Sequence, residues 1–371
     1  MTTRYTICHI TSVHHPLDDR IFYKEVLSLN KKYSVCLIAP YSHDFIENYI
    51  PIFSVRKFNN RFLRICITPW LLFFKIIKIN PKVIHFHDPE LIFIGWLLKF
   101  LRYKVIYDSH EFYEKQILSK HYLPYWIRKI LSFVYNMVYY ISLSLFDKII
   151  HVSDYREKEL KNKYKNKYSK IAYIKNFPNF DLPSAPPKKN INPSNIKLIY
   201  IGGLTAVRGI KEIITAIERI DNVELYLAGS WNPESLYIEC QHLKAWSKVK
   251  YFGQLPYTQI SSLISKCDIG LCLLYPTPNH QFALPVKILE YLSYGLPVIA
   301  SDFDYWKKTF PKGCLFTNPL NIEEITQSIN SLIENPELYD KLSKEGFELV
   351  KNHLNWRSEE DKLFQIYNEI I

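Results

Sequence analysis

Glycine is scarce here, with ten in 371 residues. A GxGxxG turn after a first strand, with an acidic residue further on, is missing from both halves, which excludes the usual dinucleotide-binding dehydrogenase. Cysteine supplies no framework. The seven stand singly at 8, 36, 66, 240, 267, 272 and 314, an odd number with no CxxC pair, so neither a disulfide scaffold nor a zinc knuckle is read. Most lie in apolar runs, as Cys8 does in YTICHI, where a thiol packs as a small core residue. A reducing cytoplasm follows as the expected location. No leader is read at the start, because Met1–Tyr5 is polar and runs directly into a strand-like segment. Long uninterrupted apolar runs are lacking too. ITPWLLFFKIIKI (67–79) is broken by Lys75 and Lys78. The uncharged stretch between Lys129 and Asp147 holds Asn136 with several Ser and Tyr and leads straight into DKIIHV. A buried or surface-seated helix is expected there rather than a membrane span.

What is present in quantity is aromatic and basic. The chain has 28 Tyr and 22 Phe, and a net charge of +11. Nucleic acid, an anionic membrane and an anionic substrate all suit such a surplus. No helix-turn-helix, RNA-binding or zinc-finger pattern accompanies it, so no nucleic-acid partner is expected. Part of the surplus is solvated surface such as KNKYKNKYSK (161–170). Basic residues Arg61, Arg64, Lys75, Lys78, Arg128 and Lys129 flank the apolar segments Leu71–Phe74 and Trp126–Tyr140, a combination that suits peripheral seating on an anionic inner membrane.

Short β-branched runs alternate with helical stretches throughout: TICHI, SVCLIA, KVIHF, KVIYD and DKIIHV, then IKLIYIG, VELYLAG, KVKYFG, DIGLCLL and LPVIASD. That alternation predicts βαβ units and two parallel sheets, an α/β chain of two domains. The expected organisation is an N-terminal domain over 1–178, a Pro-, Asn- and Ser-rich linker over 179–194 and a C-terminal domain over 195–352. A last helix over 353–371, with Leu363, Ile366, Tyr367 and Ile370 on one face, suits packing on either domain, the N-terminal one included.

Two C-terminal segments carry chemistry. In IGGLTAVRGIKEIITAIERI (201–220) a strand ends at Gly202-Gly203 and Arg208-Gly209 opens a helix. Glycines admit a ligand close to the backbone, a helix start offers free N–H groups to an anion, and a guanidinium grips phosphate in bidentate fashion. The same residues also suit a plain strand–helix turn with an exposed arginine. In ALPVKILEYLSYGLPVIASD (283–302), Lys287 and Glu290 share one face of a short helix. The carboxylate suits the vicinal hydroxyls of a ribose and the ammonium suits phosphate, although the two also suit a surface ion pair.

From about residue 197 to 350 these segments resemble family 4 glycosyltransferases of the GT-B fold. The family's GRLxxxKG turn reads GGLTAVRG here, so Arg208 stands for its Lys and Gly203 replaces its Arg. Of the family's two glutamates before its AMAxGxPV segment, Glu290 matches the second, followed by YLSYGLPVIAS, and Phe282 replaces the first. Lys287 or a backbone amide of Ala283 or Leu284 is the expected substitute for that missing contact. The resemblance implies two Rossmann-like domains facing across a cleft. It also implies metal-independent, cofactor-free transfer of a sugar with retention, from a nucleotide-sugar donor. The acceptor by default is a glycan or lipid-linked glycan of cell-surface polysaccharide synthesis. A non-catalytic nucleotide-sugar-binding protein and a sugar-nucleotide epimerase are the rival readings. The implied donor site comprises Gly202, Gly203, Arg208, Ala283, Leu284, Lys287 and Glu290.

The N-terminal half resembles one branch of the family more loosely. Its loop TSVHHPLDDRIFYKEVLSL (11–29) is read as acceptor-facing through His14, His15 and Arg20. HFHDPELIFIG (85–95) and YDSHEFYE (107–114) end strands, so His85, His87, Asp88, Glu90, His110 and Glu111 are placed on one rim, with His87 and Asp88 toward the acceptor. In the family a His after the matching strand contacts the donor sugar, and His110 fits it. With Arg208 and Glu290 it completes the expected catalytic set. Asn176, in AYIKNFPNF, stands where the family has an interdomain asparagine. The HxHD residues have metal-ligand types, but no metal is expected.

Overall fold

The computed structural model describes residues 5–109, 113–118, 124–179, 182–183, 186 and 194–371. The chain divides into two compact units, Met1–Asn176 with Trp356–Ile371, and Phe177–Asn355. The stretch expected as a linker, 179–194, falls just inside the second, and much of it lies outside the described residues.

Unit 1 is an eight-stranded sheet. Its strands are β1 (Ile7–Ile10), β2 (Val35–Pro40), β3 (Phe45–Glu47), β4 (Ile50–Val55), β5 (Val83–Phe86), β6 (Lys104–Ser109), β7 (Lys148–His151) and β8 (Ile171–Tyr173). They lie in the order β3-β4-β2-β1-β5-β6-β7-β8. All pair in parallel except β3, which runs antiparallel to β4. The order reverses at β1, which pairs with β2 on one side and β5 on the other. The loops after β1 and β5 therefore share the crevice where ligands gather in open α/β sheets. The central strands are buried on both faces, as parallel strands covered by helices must be. One covering layer is the helix Trp356–Ile370, whose Leu363, Phe364, Ile366, Tyr367 and Ile370 join the core around Ile7, Phe22, Leu37 and Ile106. A second face is covered by helices Arg61–Ile79, Ile92–Phe100 and Tyr125–Leu145, against Ile84, Phe86 and Tyr107.

Unit 2 is a six-stranded parallel sheet of β9 (Ile196–Ile201), β10 (Val223–Ala228), β11 (Val249–Tyr251), β12 (Ile269–Cys272), β13 (Val298–Ser301) and β14 (Cys314–Thr317). The order is β11-β10-β9-β12-β13-β14, reversing at β9. Gly202 follows the last residue of β9, so the glycine turn stands at this crevice. Among the described residues no helix is long and apolar enough to cross a membrane.

Candidate functional site

In unit 2 the site is built by the glycine turn after β9 and the helix Val286–Ser293. Tyr291 anchors that helix to the sheet. Its buried hydroxyl accepts the Ile201 N–H at 2.9 Å, and its ring lies where a side chain on Gly270 would stand, 2.4 Å from a Cβ built there. With the helix fixed by Tyr291, Lys287 and Glu290 are placed relative to the end of β9. A Cβ on Gly202 would lie 3.3 Å from both Arg208 Nη1 and Lys287 Nζ, so two cations converge over one glycine. Gly203 faces the same guanidinium, its notional Cβ 3.7 Å from Arg208 Cζ. Arg208 is half-buried in the short turn Ala206–Arg208 ahead of the helix Ile210–Ala216.

The Lys287–Glu290 ion pair that helical spacing allows is not made. Lys287 instead turns its ammonium over the Tyr200 ring, 3.8 Å from the centroid, where it is buried and makes no hydrogen bond among the described residues. Cation–π contact offsets part of the desolvation, but three donors await an acceptor. Glu290 is half-buried, and burial raises its carboxyl above the ordinary value while Lys287 opposes the rise. Ala283 and Leu284 lie on the segment between Phe282, which is partly exposed, and this helix, and the Ala283 carbonyl accepts the Trp306 indole N–H at 2.9 Å. Two like-charged groups beside a glycine turn, with a carboxylate one helical turn on, form an anion site next to a hydroxyl-accepting group.

In unit 1 the loop after β1 meets the loop after β5. Asp88 accepts hydrogen bonds from the Thr11 hydroxyl and the Ser12 N–H, both at 2.7 Å, and Ser12 Oγ donates to Glu90. His14 lies 3.4 Å from Asp18 and 3.5 Å from Asp88. The hydrogen bond that His14 donates to Asp18 raises the His14 pKa above its ordinary value. His15 stands beside this cluster, its Nδ1 accepting the Leu17 N–H and its ring edge-on to Tyr41. His14 and His15 are solvent-accessible.

Arg20 and His87 are not surface contacts, contrary to their expected acceptor role. Arg20 is enclosed in the π-helix Asp19–Val26. It donates to Asp108 through Nε (3.0 Å) and to the Ile174 carbonyl through Nη1 (3.0 Å), and it lies 3.0 Å from Glu25. His87 is fully buried between His9 and Asp108. Their polar atoms are committed inside the unit, because a buried charge needs compensating partners. Asp88 is also almost fully buried and acts through Thr11, Ser12 and His14. Of the residues placed on one rim, Asp88 and Glu90 meet the loop after β1, His85 and His87 are instead fully buried inside the unit, and His110 and Glu111 lie outside the described residues. Asn176 accepts a hydrogen bond from Lys24 Nζ at 2.8 Å. Sequence reasoning missed His9, Glu25, Asp108 and Tyr367. Their only sequence signal is strand alternation, which puts His85 and His87 on one face, and parallel pairing then sets His9 opposite His85.

The model of Glycosyltransferase Family 4 matches residues 8–181, and that of Glycosyl transferases group 1 matches residues 183–349. An O-antigen biosynthesis protein, RfbC, of Myxococcus xanthus is 25% identical over 193 residues, which are 49% of this chain and 14% of that protein. An uncharacterized glycosyltransferase of Haemophilus influenzae is 24% identical over 212 residues, 55% of this chain and 56% of that one. The chain thus spans only part of both. Among solved structures, a sucrose-phosphate synthase of Thermosynechococcus elongatus superposes with a TM-score of 0.73 at 18% identity, covering 98% of each chain. Anabaena HepE in complex with UDP gives 0.71 at 14% identity, covering 98% of this chain and 100% of that one.

Proposed function

From the premise that the chain belongs to the family 4 glycosyltransferases, we propose that it moves a sugar, with retention, from a nucleotide-sugar donor to a glycan or lipid-linked glycan acceptor in cell-surface polysaccharide synthesis. The observation that carries this reading is the convergence of Arg208 and Lys287 over Gly202, with Glu290 one turn further along the same helix as Lys287. The donor diphosphate takes the two cations and the ribose hydroxyls donate to Glu290. Gly203 leaves room where the family carries an arginine, and Lys287 supplies the second positive charge from the neighbouring helix. In the transfer, the bond between the anomeric carbon and the diphosphate oxygen breaks. The acceptor oxygen bonds to the anomeric carbon on the same face, and its proton passes to the departing diphosphate. Such a path needs stabilised phosphate more than a protein base, and Arg208 and Lys287 are aimed where that charge develops. Transfer is therefore proposed to need no metal. HepE, whose fold is shared, has been solved with UDP and with UDP-glucose, which makes uridine donors the first to try.

Titration calorimetry against UDP-, GDP- and other nucleotide sugars tests the site. One donor class should bind, and Arg208→Ala and Lys287→Ala should each weaken it about ten- to a hundredfold, as expected for loss of a charge-assisted hydrogen bond. Unchanged affinity in both variants overturns the site. Product NMR showing inversion, or turnover that rises only with added Mg2+ or Mn2+, overturns the mechanism. Phe282 in place of the family's first glutamate and Gly203 in place of its arginine favour a non-catalytic binder, and donor binding without turnover over a panel of glycan acceptors would establish that reading instead.

We also propose a cytoplasmic location with unit 1 seated on the inner face of an anionic membrane. The support is the apolar outer surface of the Arg61–Ile79, Ile92–Phe100 and Tyr125–Leu145 helices, where Phe74, Phe100 and Phe133 are 65%, 75% and 70% exposed.

A further inference from the structure

The donor reading leaves a cluster inside unit 1 unused. His9 on β1 and His85 on β5 are paired in register, and His87 follows β5 on the same face. The His85 and His87 rings stack with centroids 4.7 Å apart, and the His9 ring lies 4.4 Å from that of His85, tilted by 40°. Glu25 of the π-helix comes down onto them. All four residues are 0% exposed, and each brings a ligand atom within 4.8 Å of the others.

The ring nitrogens divide into two sets. One nitrogen of each ring is held from outside the cluster: His85 Nδ1 is 2.8 Å and His9 Nε2 3.3 Å from the Tyr367 hydroxyl, and His87 Nδ1 is 3.4 Å from Asp108. The other nitrogens point inward. His9 Nδ1 and His87 Nε2 face each other at 3.0 Å, and His85 Nε2 lies 4.0 Å from Glu25 and makes no hydrogen bond among the described residues. Neither Glu25 oxygen accepts a hydrogen bond among those residues, although Arg20 lies 3.0 Å away as an ion pair. Buried carboxyl and imidazole atoms whose hydrogen-bonding capacity is not filled are costly to keep in a fold.

We propose that His9 Nδ1, His85 Nε2, His87 Nε2 and a Glu25 carboxylate oxygen bind one divalent cation of the zinc class, as a structural site closed to solvent. Three imidazoles and a carboxylate form a ligand set zinc accepts, and four protein ligands leave no open position for a reacting water. In tetrahedral zinc, bonds of about 2.0–2.1 Å put ligand nitrogens about 3.4 Å apart, close to the observed His9–His87 separation. The outer partners match the pattern in which a ligating imidazole donates its remote N–H to a carboxylate or another oxygen. The Tyr367 oxygen has two lone pairs and takes both the His9 and the His85 N–H, while Asp108 takes that of His87. Charge agrees as well. Two carboxyl groups, Glu25 and Asp108, face the single guanidinium of Arg20, so a further cation is welcome.

Metal analysis of untagged protein from zinc-supplemented cells should find about one zinc per chain. Unfolding in chelator and refolding with Co2+ should give the intense visible bands of a tetrahedral cobalt site. His85→Gln should lose the metal and melt lower. Metal-free wild-type protein that also shows no such bands after refolding with Co2+ overturns the proposal, as does full metal content in His85→Gln. Should His85→Gln fail to fold, the metal content and cobalt spectrum of the wild type decide alone. Donor binding in unit 2 is unaffected by either result.

Discussion

The Glu290 carboxyl is half-buried beside a lysine that has turned away from it. Burial raises its carboxyl pKa above the ordinary 4.5, with Lys287 opposing. A group whose folded pKa is raised contributes stability only below its unfolded value and loses that contribution as pH rises through the folded value. At neutral pH the ionised Glu290 therefore costs stability, and a ligand that donates hydrogen bonds to it recovers that cost. Two results follow. Donor affinity should begin to fall at a pH above 4.5 as the solution is acidified, because the protonated carboxyl accepts less well. Glu290→Gln should weaken donor about ten- to a hundredfold and remove that pH dependence while leaving the melting temperature equal or higher. Calorimetry across the acid range checks both, and a pH-independent wild type would count against Glu290 as the hydroxyl acceptor. Arg208 and Glu290 could be singled out in the sequence because each lies within a local motif, Arg208 just ahead of a helix and Glu290 within one. The turning of Lys287 onto Tyr200 was not, since Tyr200 sits on β9 and only tertiary packing brings the ring beneath the ammonium.

The π-helix Asp19–Val26 carries more charge inside than the sequence pattern allows for. Arg20, Lys24 and Glu25 are all buried. In sequence, the loop after the first strand reads as acceptor-facing, which places Arg20 at the acceptor. The helix instead turns these residues toward strand ends that hold compensating groups, Asp108 and the Ile174 carbonyl for Arg20 and Asn176 for Lys24. No local pattern encodes pairings between residues so distant in the chain. Asp18 caps the helix, accepting the Arg20 and Ile21 N–H groups at 2.9 and 3.0 Å. Although burial works against it, the bonds from His14 and from these amides hold the Asp18 carboxyl well below its usual 3.8. Its contribution is present above 3.8 and lost as pH falls through the lowered value. The raised His14 contributes fully below 6.5, and that contribution is lost as pH rises through its folded value. Between 3.8 and 6.5 both are in place. Asp18→Asn keeps a cap but removes the pair. Urea titrations should show it destabilised by up to about 1 kcal/mol below 6.5, with the difference vanishing well above that pH. A difference that stays constant across this range would mean that the pair contributes nothing.

At the scale of the molecule, the alternation of β-branched runs with helical stretches did predict two parallel α/β sheets, because strands buried on both faces must be apolar along their whole length. What the same reading could not assign was the helices' outer faces. An apolar helix looks alike in sequence whether its second face meets a core or solvent. In unit 1 the helix Arg61–Ile79 buries Leu72 and Ile76 and exposes Phe62, Trp70 and Phe74, and Tyr125–Leu145 buries Tyr139 and Leu143 and exposes Trp126, Phe133 and Met137. Between them, Ile92–Phe100 adds exposed Phe93 and Phe100, which the sequence had not singled out. Scattered apolar surface needs no explanation, but three helices of one unit presenting aromatic outer faces do. The basic flank is smaller than composition implied. Arg64 is tied to Glu90 and Lys75 to Asp44, while Arg61, Lys78 and Lys129 remain exposed. At about 1 kcal/mol per basic residue near an anionic surface, electrostatics alone gives weak binding, and the aromatic faces must supply the remainder. Binding to anionic vesicles should therefore weaken with salt without disappearing. Phe133→Glu should reduce it about tenfold or more, by removing an apolar anchor and adding a repelled charge, and should leave donor affinity in unit 2 unchanged. Vesicle sedimentation measures all of this. Protein that stays in the supernatant with anionic vesicles at low salt, or a Phe133→Glu variant that sediments like wild type, would show that this surface does not seat on a membrane.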